Sequence, residues 1–250
     1  MNRLTGIHAV REALEAGRAL ERIVIARGRH GERIEAIVEL ARTRGVPVRF
    51  EDRSQVDHVV GTREHQGVVA FVAAKAASSL EDLIRKAAPP DKRKGLLILL
   101  DGVEDPQNLG AVVRTALAAG ADGVVIPERR AAGLTESVAR ASAGALEHLP
   151  VARVTNLVRA MEELKEAGYW LVGLDERAGK NYTDADLTLS VGVVLGSEGK
   201  GLHELVRRHC DSLVSIPTTG PVRSLNVSVA AGIVLFEAVR QRNQSKPQTN

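Results

Sequence analysis

Val194-Leu195-Gly196-Ser197-Glu198-Gly199-Lys200-Gly201-Leu202 leaves an apolar strand, passes three glycines and enters a helical pattern. Ile216-Pro217-Thr218-Thr219-Gly220-Pro221-Val222-Arg223-Ser224-Leu225-Asn226-Val227-Ser228 repeats the design a few residues later. Glycine lets backbone approach a small molecule closely, and a helix N-terminus offers unpaired N–H groups. Two such junctions close in sequence predict a ligand cradle. A third, Asp101 to Gly120, has the same design and carries a lone arginine, Arg114.

Outward from these junctions the chain alternates strand and helix. Leu96 to Leu100 is a continuous apolar run, as expected of a buried parallel strand. Gly123–Ile126, Trp170–Leu174, Val191–Leu195 and Leu213–Ile216 are further strands. Helices are expected at 108–119, 135–143 (capped by Thr135), 155–167 and 225–240. Alternation of this kind predicts a doubly wound parallel sheet, with ligand sites outside the carboxyl ends of its strands.

A smaller α/β unit precedes it. Ile7, Val10 and Leu14 fall on one helix face, Arg22–Ala26 and Val46–Phe50 read as strands around a helix at 33–44, and Ser54 opens a short helix before a strand at 68–74. The expected organisation is therefore an N-terminal domain over 1–75, a linker over 76–94, a parallel-sheet domain over 95–242 and a disordered tail over 243–250. Within the linker, Leu80–Ala87 has a helical pattern that Ser79 can cap.

Composition bounds the function. Residues 1–75 hold 13 Lys+Arg against 10 Asp+Glu, while the rest hold 21 of each, so the whole net charge of +3 lies in the N-terminal unit. That placement suggests an acidic partner. The single cysteine, Cys210, cannot form an internal disulfide, and no Cys/His spacing matches a metal site. The N-terminus lacks a secretory apolar core and no run is long enough to span a bilayer, so a cytoplasmic protein without a membrane partner is expected.

Gly196–Gly201 is not a Walker loop, because its lysine comes too early and no Ser/Thr follows. The dinucleotide fingerprint and the Gly-x-Ser-x-Gly elbow are also missing. The stretch Asp101-Gly102-Val103-Glu104-Asp105-Pro106-Gln107-Asn108-Leu109-Gly110-Ala111-Val112-Val113-Arg114-Thr115-Ala116 instead resembles the first motif of the SpoU-type RNA ribose methyltransferases, of the SPOUT class. Leu195–Leu202 resembles their second motif and Ile216–Gly232 their third, in the same order. The N-terminal Gly6-Ile7-His8-Ala9-Val10 and Glu64-His65-Gln66-Gly67-Val68 resemble the members that methylate guanosine riboses of 23S rRNA. The resemblance implies an α/β fold with a small N-terminal RNA-binding domain and a C-terminal SPOUT methyltransferase domain closed by a trefoil knot. It also implies an S-adenosyl-L-methionine cofactor, a homodimer, and 23S rRNA or a ribosomal assembly particle as partner.

Methylating a ribose hydroxyl requires two aligned substrates and an outlet for one proton, with no metal. The resemblance assigns Arg114 as the base; a guanidinium clamping RNA phosphate and stabilising the forming alkoxide is an equally sound physical reading. Asn108 is expected to cap its helix and orient Arg114. Glu198 can hold Arg114 or an RNA hydroxyl. Ser224 and Asn226 open the closing helix, and the resemblance makes both site residues. Leu195, Gly196, Gly201, Ile216 and Leu225 are the expected cofactor wall, and Arg223 and Lys200 the expected RNA contacts. The competing readings are the same chemistry on tRNA or another rRNA site, a non-catalytic RNA-binding assembly factor, and a nicotinamide oxidoreductase. The last lacks its fingerprint.

Overall fold

The computed structural model describes residues 2–60, 65–72, 77–87, 94–221 and 224–245. Its first sheet is built from Asn2–Thr5 (β1), Leu20–Ala26 (β2), Val48–Glu51 (β3) and Val68–Val72 (β4), in the order β1-β4-β2-β3. β4 runs antiparallel to β1 and β2, whereas β2 and β3 are parallel. Ile7–Glu15 (α1) and Glu32–Thr43 (α2) bury Val10, Leu14, Ile34 and Ile37 against one face, and Arg53–Val60 (α3) buries Val56 against the other. α3 starts one residue earlier than expected, so Ser54 lies inside it rather than capping it.

His65 is fully buried in this unit, with Asp57 Oδ1 2.5 Å from Nε2 and the Gly67 N–H donating to Nδ1 at 3.0 Å. One imidazole thus joins α3 to the turn that enters β4. Glu64, beside it in the N-terminal motif, lies outside the described residues.

The described part of the expected linker holds a helix that packs on the second sheet. Leu80–Ala87 (α4) forms with Ser79 Oγ accepting the Asp82 N–H at 3.0 Å, as expected, but Leu80 and Leu83 are buried against the second sheet. The apolar pair overrides the Pro- and charge-rich flanks: leaving both leucines in water would cost about 3–5 kcal/mol.

The second sheet has six parallel strands: Leu96–Asp101 (β5), Gly123–Pro127 (β6), Val151–Val154 (β7), Trp170–Leu174 (β8), Val191–Gly196 (β9) and Ser212–Val214 (β10), in the order β10-β8-β9-β5-β6-β7. Its helices are Pro106–Ala118 (α5), Glu136–Ala141 (α6), Ala145–His148 (α7), Leu157–Glu166 (α8), Glu204–His209 (α9) and Val227–Gln244 (α10). Alternate residues of β5 divide between two cores. Leu96, Ile98 and Leu100 pack with α5 and α10, and Leu97 and Leu99 pack with α4 and α8. From β5 the chain proceeds to β6 and β7 on one side, and from β8 and β9 to β10 on the other. The reversal point therefore lies between β5 and β9, where Asp101 pairs with Gly196 at the carboxyl ends.

Local chemistry sets the ends of these helices. Asp105, not Asn108, caps α5: its carboxylate accepts the Gln107 N–H at 2.9 Å and Pro106 occupies the first turn. Thr135 precedes α6 without a side-chain cap bond. α5 packs closely on α6 because residue 110 is glycine; a Cβ there would stand 2.3 Å from the Ala141 Cβ. α10 runs on to Gln244, past the expected domain end at 242, and residues 246–250 of the expected tail lie outside the described residues.

The two sheets share one apolar cluster through α1, α2 and α5. Polar contacts reinforce the junction. Thr5 donates to Glu136 at 2.7 Å, Arg18 pairs with the buried Glu147 at 2.5 Å, and His148 meets Glu12 at 2.7 Å.

Candidate active site

The carboxyl ends of β8, β9 and β10 surround a cavity of about 400 Å³, within the range of small-molecule sites. Leu195, Gly196, Gly201, Ile216 and Leu225 all line it, as do Ser224 and Val227. The expected cofactor wall is thus brought together. Its turn is held by a bridge between Ser197 and Gly201, whose backbones exchange hydrogen bonds at 3.2 and 2.9 Å. Gly196 is required by that turn, because a Cβ there would lie 2.1 Å from the Gly201 carbonyl carbon. Gly199 and Gly201 have φ of +81° and +66°, and a Cβ on either would meet nothing within 4 Å. An open backbone cradle faces an apolar wall, which suits an uncharged ring with polar edges.

Beside the cavity three side chains from three elements converge. Asn108 is buried in the first turn of α5, and its Nδ2 donates to Glu198 Oε1 at 3.1 Å. Asn226 Nδ2 donates to the same oxygen at 2.6 Å and to Asn108 Oδ1 at 3.0 Å. Asn226 also caps α10, accepting the Ser228 N–H at 2.9 Å. The Glu198 carboxylate therefore rests on the α10 N-terminus, with the Val227 N–H 3.4 Å away, where helix dipole and amide donors favour negative charge. Its Oε2 has no hydrogen-bond partner among the described residues. Asn108 orients Glu198, not the arginine expected from sequence.

Arg114 stands apart. It is exposed on α5 and does not line the cavity, and its guanidinium forms no ion pair or hydrogen bond among the described residues. Six residues at about 100° each turn it roughly 120° around the helix from Asn108. Ser224 is exposed in the cavity wall and is not bonded to the Asn108–Glu198–Asn226 group. Lys200, expected on RNA, is in the cavity wall; Arg223 lies outside the described residues.

Sequence reasoning missed one wall. Leu174, Asp175, Glu176 and Arg177, leaving β8, line the cavity, whereas the loop after β5 does not. Burial works to raise the pKa of Asp175, but hydrogen bonds from the Arg177 side chain and backbone and from Arg207 outweigh it and lower it to about 2. Arg207 Nε lies 2.6 Å from Oδ2 and Arg177 Nε 3.1 Å from Oδ1, so the carboxylate fastens this loop to α9. The signal was present: β8 was expected, and in a parallel sheet its carboxyl end must lie beside that of β9. Outside the cavity lining, Asp101 accepts the His203 N–H at 2.7 Å and anchors the turn after Leu202. Cys210 is structural; burial pushes its thiol up to about 12.

A parallel sheet with a glycine cradle at its reversal point, and a carboxamide–carboxylate group beside it, defines an α/β protein with a small-molecule site. The chain belongs to the SpoU rRNA Methylase family, whose model matches residues 95–236, and a second model, RNA 2′-O ribose methyltransferase substrate binding, matches residues 3–77. It is an RNA methyltransferase. A Bacillus subtilis relative named putative TrmH family tRNA/rRNA methyltransferase YacO is 46% identical over 95% of both chains. Among solved structures, the SpoU methyltransferase AviRb from Streptomyces viridochromogenes, in complex with the cofactor AdoMet, superposes with TM-score 0.82 at 29% identity, covering 97% of this chain and 91% of its own. An AdoMet-bound rRNA methyltransferase from Sinorhizobium meliloti gives TM-score 0.78 at 27% identity, over 96% and 87%. The Aquifex aeolicus TrmH/SpoU tRNA modifying enzyme gives TM-score 0.56 at 29% identity, covering only 68% of this chain and 88% of its own.

Proposed function

We propose that this protein uses S-adenosyl-L-methionine to methylate the ribose 2′-hydroxyl of a guanosine in 23S rRNA, in the peptidyl-transferase region. The observation that carries the reading is the Asn108–Glu198–Asn226 group at the mouth of the glycine-cradled cavity. The cofactor fits the cavity: Leu195, Ile216 and Leu225 offer apolar faces to an adenine, and Gly196 and Gly201 offer close backbone. When bound, it supplies an electrophilic methyl on a sulfonium. Glu198 Oε2 is free to accept a hydrogen bond from the target hydroxyl, with Asn108 and Asn226 fixing the carboxylate. Arg114 clamps phosphate or holds the forming alkoxide, and Ser224, Lys200 and Arg223 border the RNA.

The N-terminal unit would grip rRNA. Arg29, His30, Arg33 and Phe50 are exposed around the carboxyl ends of β2 and β3. The Sinorhizobium meliloti rRNA methyltransferase covers 96% of this chain, whereas the tRNA modifying enzyme covers 68% of it, which supports rRNA. The same reading includes residues 1–75 and 95–242 as separate domains, a C-terminal trefoil knot, a cytoplasmic location and a homodimer. The dimer is supported by an apolar stripe on α10: Val229 and Phe236 are about half exposed, beside the partly buried Ile233. Packing that stripe against a second copy would also place the exposed Arg114 at the joint, since α5 packs along α10.

The test is transfer of isotope-labelled methyl from S-adenosylmethionine to unmodified 23S rRNA and tRNA transcripts, followed by nucleoside mass spectrometry. Labelled 2′-O-methylguanosine from 23S rRNA supports the reading; label in tRNA alone moves the substrate; a base-methylated product refutes ribose chemistry.

A further inference from the structure

Resting on the RNA methyltransferase reading, and going beyond its site residues, we infer that Arg129 and Arg130 form a phosphate clamp that leads RNA from the N-terminal unit to the active site. The pair follows β6 at the carboxyl end of the sheet. Both residues are exposed, and neither guanidinium has an ion pair or hydrogen bond among the described residues. Glu128 is the single acid between Pro127 and Leu134.

The segment is held rigidly at both ends. The Glu128 N–H donates to Val154 O at 2.9 Å, and Arg153 donates to Glu128 O at 3.1 Å. Two residues past the pair, the Ala132 N–H donates to Val103 O at 2.9 Å, tying this segment to the loop that opens α5 and presents Asn108. Arg130 has φ +57°, a left-handed conformation that a non-glycine residue adopts at a cost. Beyond Thr135, Glu136 accepts the Thr5 hydroxyl of β1. The segment therefore spans from the N-terminal sheet to the loop carrying Asn108, and it meets any polyanion crossing between them. Paired guanidiniums suit phosphate, which they bind through charge-assisted hydrogen bonds.

The experiment uses the full-length protein and an unmodified 23S rRNA transcript. Affinity is measured between 50 and 200 mM salt for wild type, R129A/R130G and R129K/R130K, together with kcat and KM for methyl transfer. Glycine at 130 relieves the backbone cost while removing the charge, which separates a turn role from a phosphate role. The clamp predicts that R129A/R130G binds RNA roughly tenfold more weakly, with the slope of log affinity against log salt shallower by about 1.4–1.8. KM for RNA rises while kcat at saturating RNA and S-adenosylmethionine affinity stay at wild-type values and the thermal midpoint does not fall, and R129K/R130K keeps the wild-type slope. Wild-type affinity and slope in R129A/R130G overturn the clamp. A wild-type protein that neither binds nor methylates the transcript overturns the 23S rRNA reading beneath it as well.

Discussion

Arg114 is the residue whose role depends most on assembly. In one chain it lies about 9 Å along α5 from Asn108 and on a different face, with no contact to the Asn108–Glu198–Asn226 group. If the α10 stripe pairs two copies, Arg114 serves the partner's cavity. Co-expression of Arg114→Ala under one affinity tag and Glu198→Ala under another, with tandem purification, isolates the mixed species. In it, one cavity combines an intact Glu198 with the intact Arg114 of the other chain, and the second cavity lacks both. Two-fold symmetry then predicts about half the wild-type activity per dimer. Each parent homodimer should fall roughly 100-fold or more, the usual loss when a group stabilising developing charge is removed. Methyl transfer to RNA is the assay, and cofactor affinity of R114A should stay within about threefold of wild type, since Arg114 does not line the cavity. A mixed species as inactive as its parents refutes action across the interface; inability to isolate any mixed species refutes the dimer.

Two further outcomes follow from the cavity walls. Asp175 is held at about 2 against an ordinary 3.8, so its stabilisation is complete above about pH 4 and is lost as pH falls through 2. Asp175→Asn should lower unfolding free energy by about 2 kcal/mol at pH 7, and the two proteins should converge near pH 2 in urea titrations; a constant gap across that range would sink the argument. Gly196→Ala places a Cβ 2.1 Å from the Gly201 carbonyl carbon, so the turn must open. Calorimetry should show loss of S-adenosylmethionine binding, and retained affinity would mean the cofactor does not depend on this cradle.

Much of this molecule was legible in its sequence because the informative patterns are local. Leu96–Leu100 reads as a buried parallel strand since both of its faces are covered by helices. The glycines of 196–201 reveal a cradle because only glycine satisfies that turn. What escaped depended on neighbours distant in the chain. β7 is four residues long at a sheet edge, and β1 is as short; nothing in VARV or NRLT outweighs ordinary loop composition. Asn108 looked like a cap because the helix start was placed two residues late; Asp105 takes that role and frees Asn108 for Glu198, 90 residues away. The β8 wall was missed because Asp175 carries no motif; beside the local Arg177 its second partner is Arg207, 32 residues away, which only folding brings to it. Arg114 was recognisable by resemblance alone, and a single chain gives it no partner.

The most direct test of the central claim is mass-spectrometric mapping of 2′-O-methylated nucleotides in rRNA and tRNA, from cells with and without the gene. The expected result is loss of one guanosine ribose methylation in 23S rRNA, restored by the wild-type gene and not by R114A. An unchanged methylation map in both RNAs would contradict it.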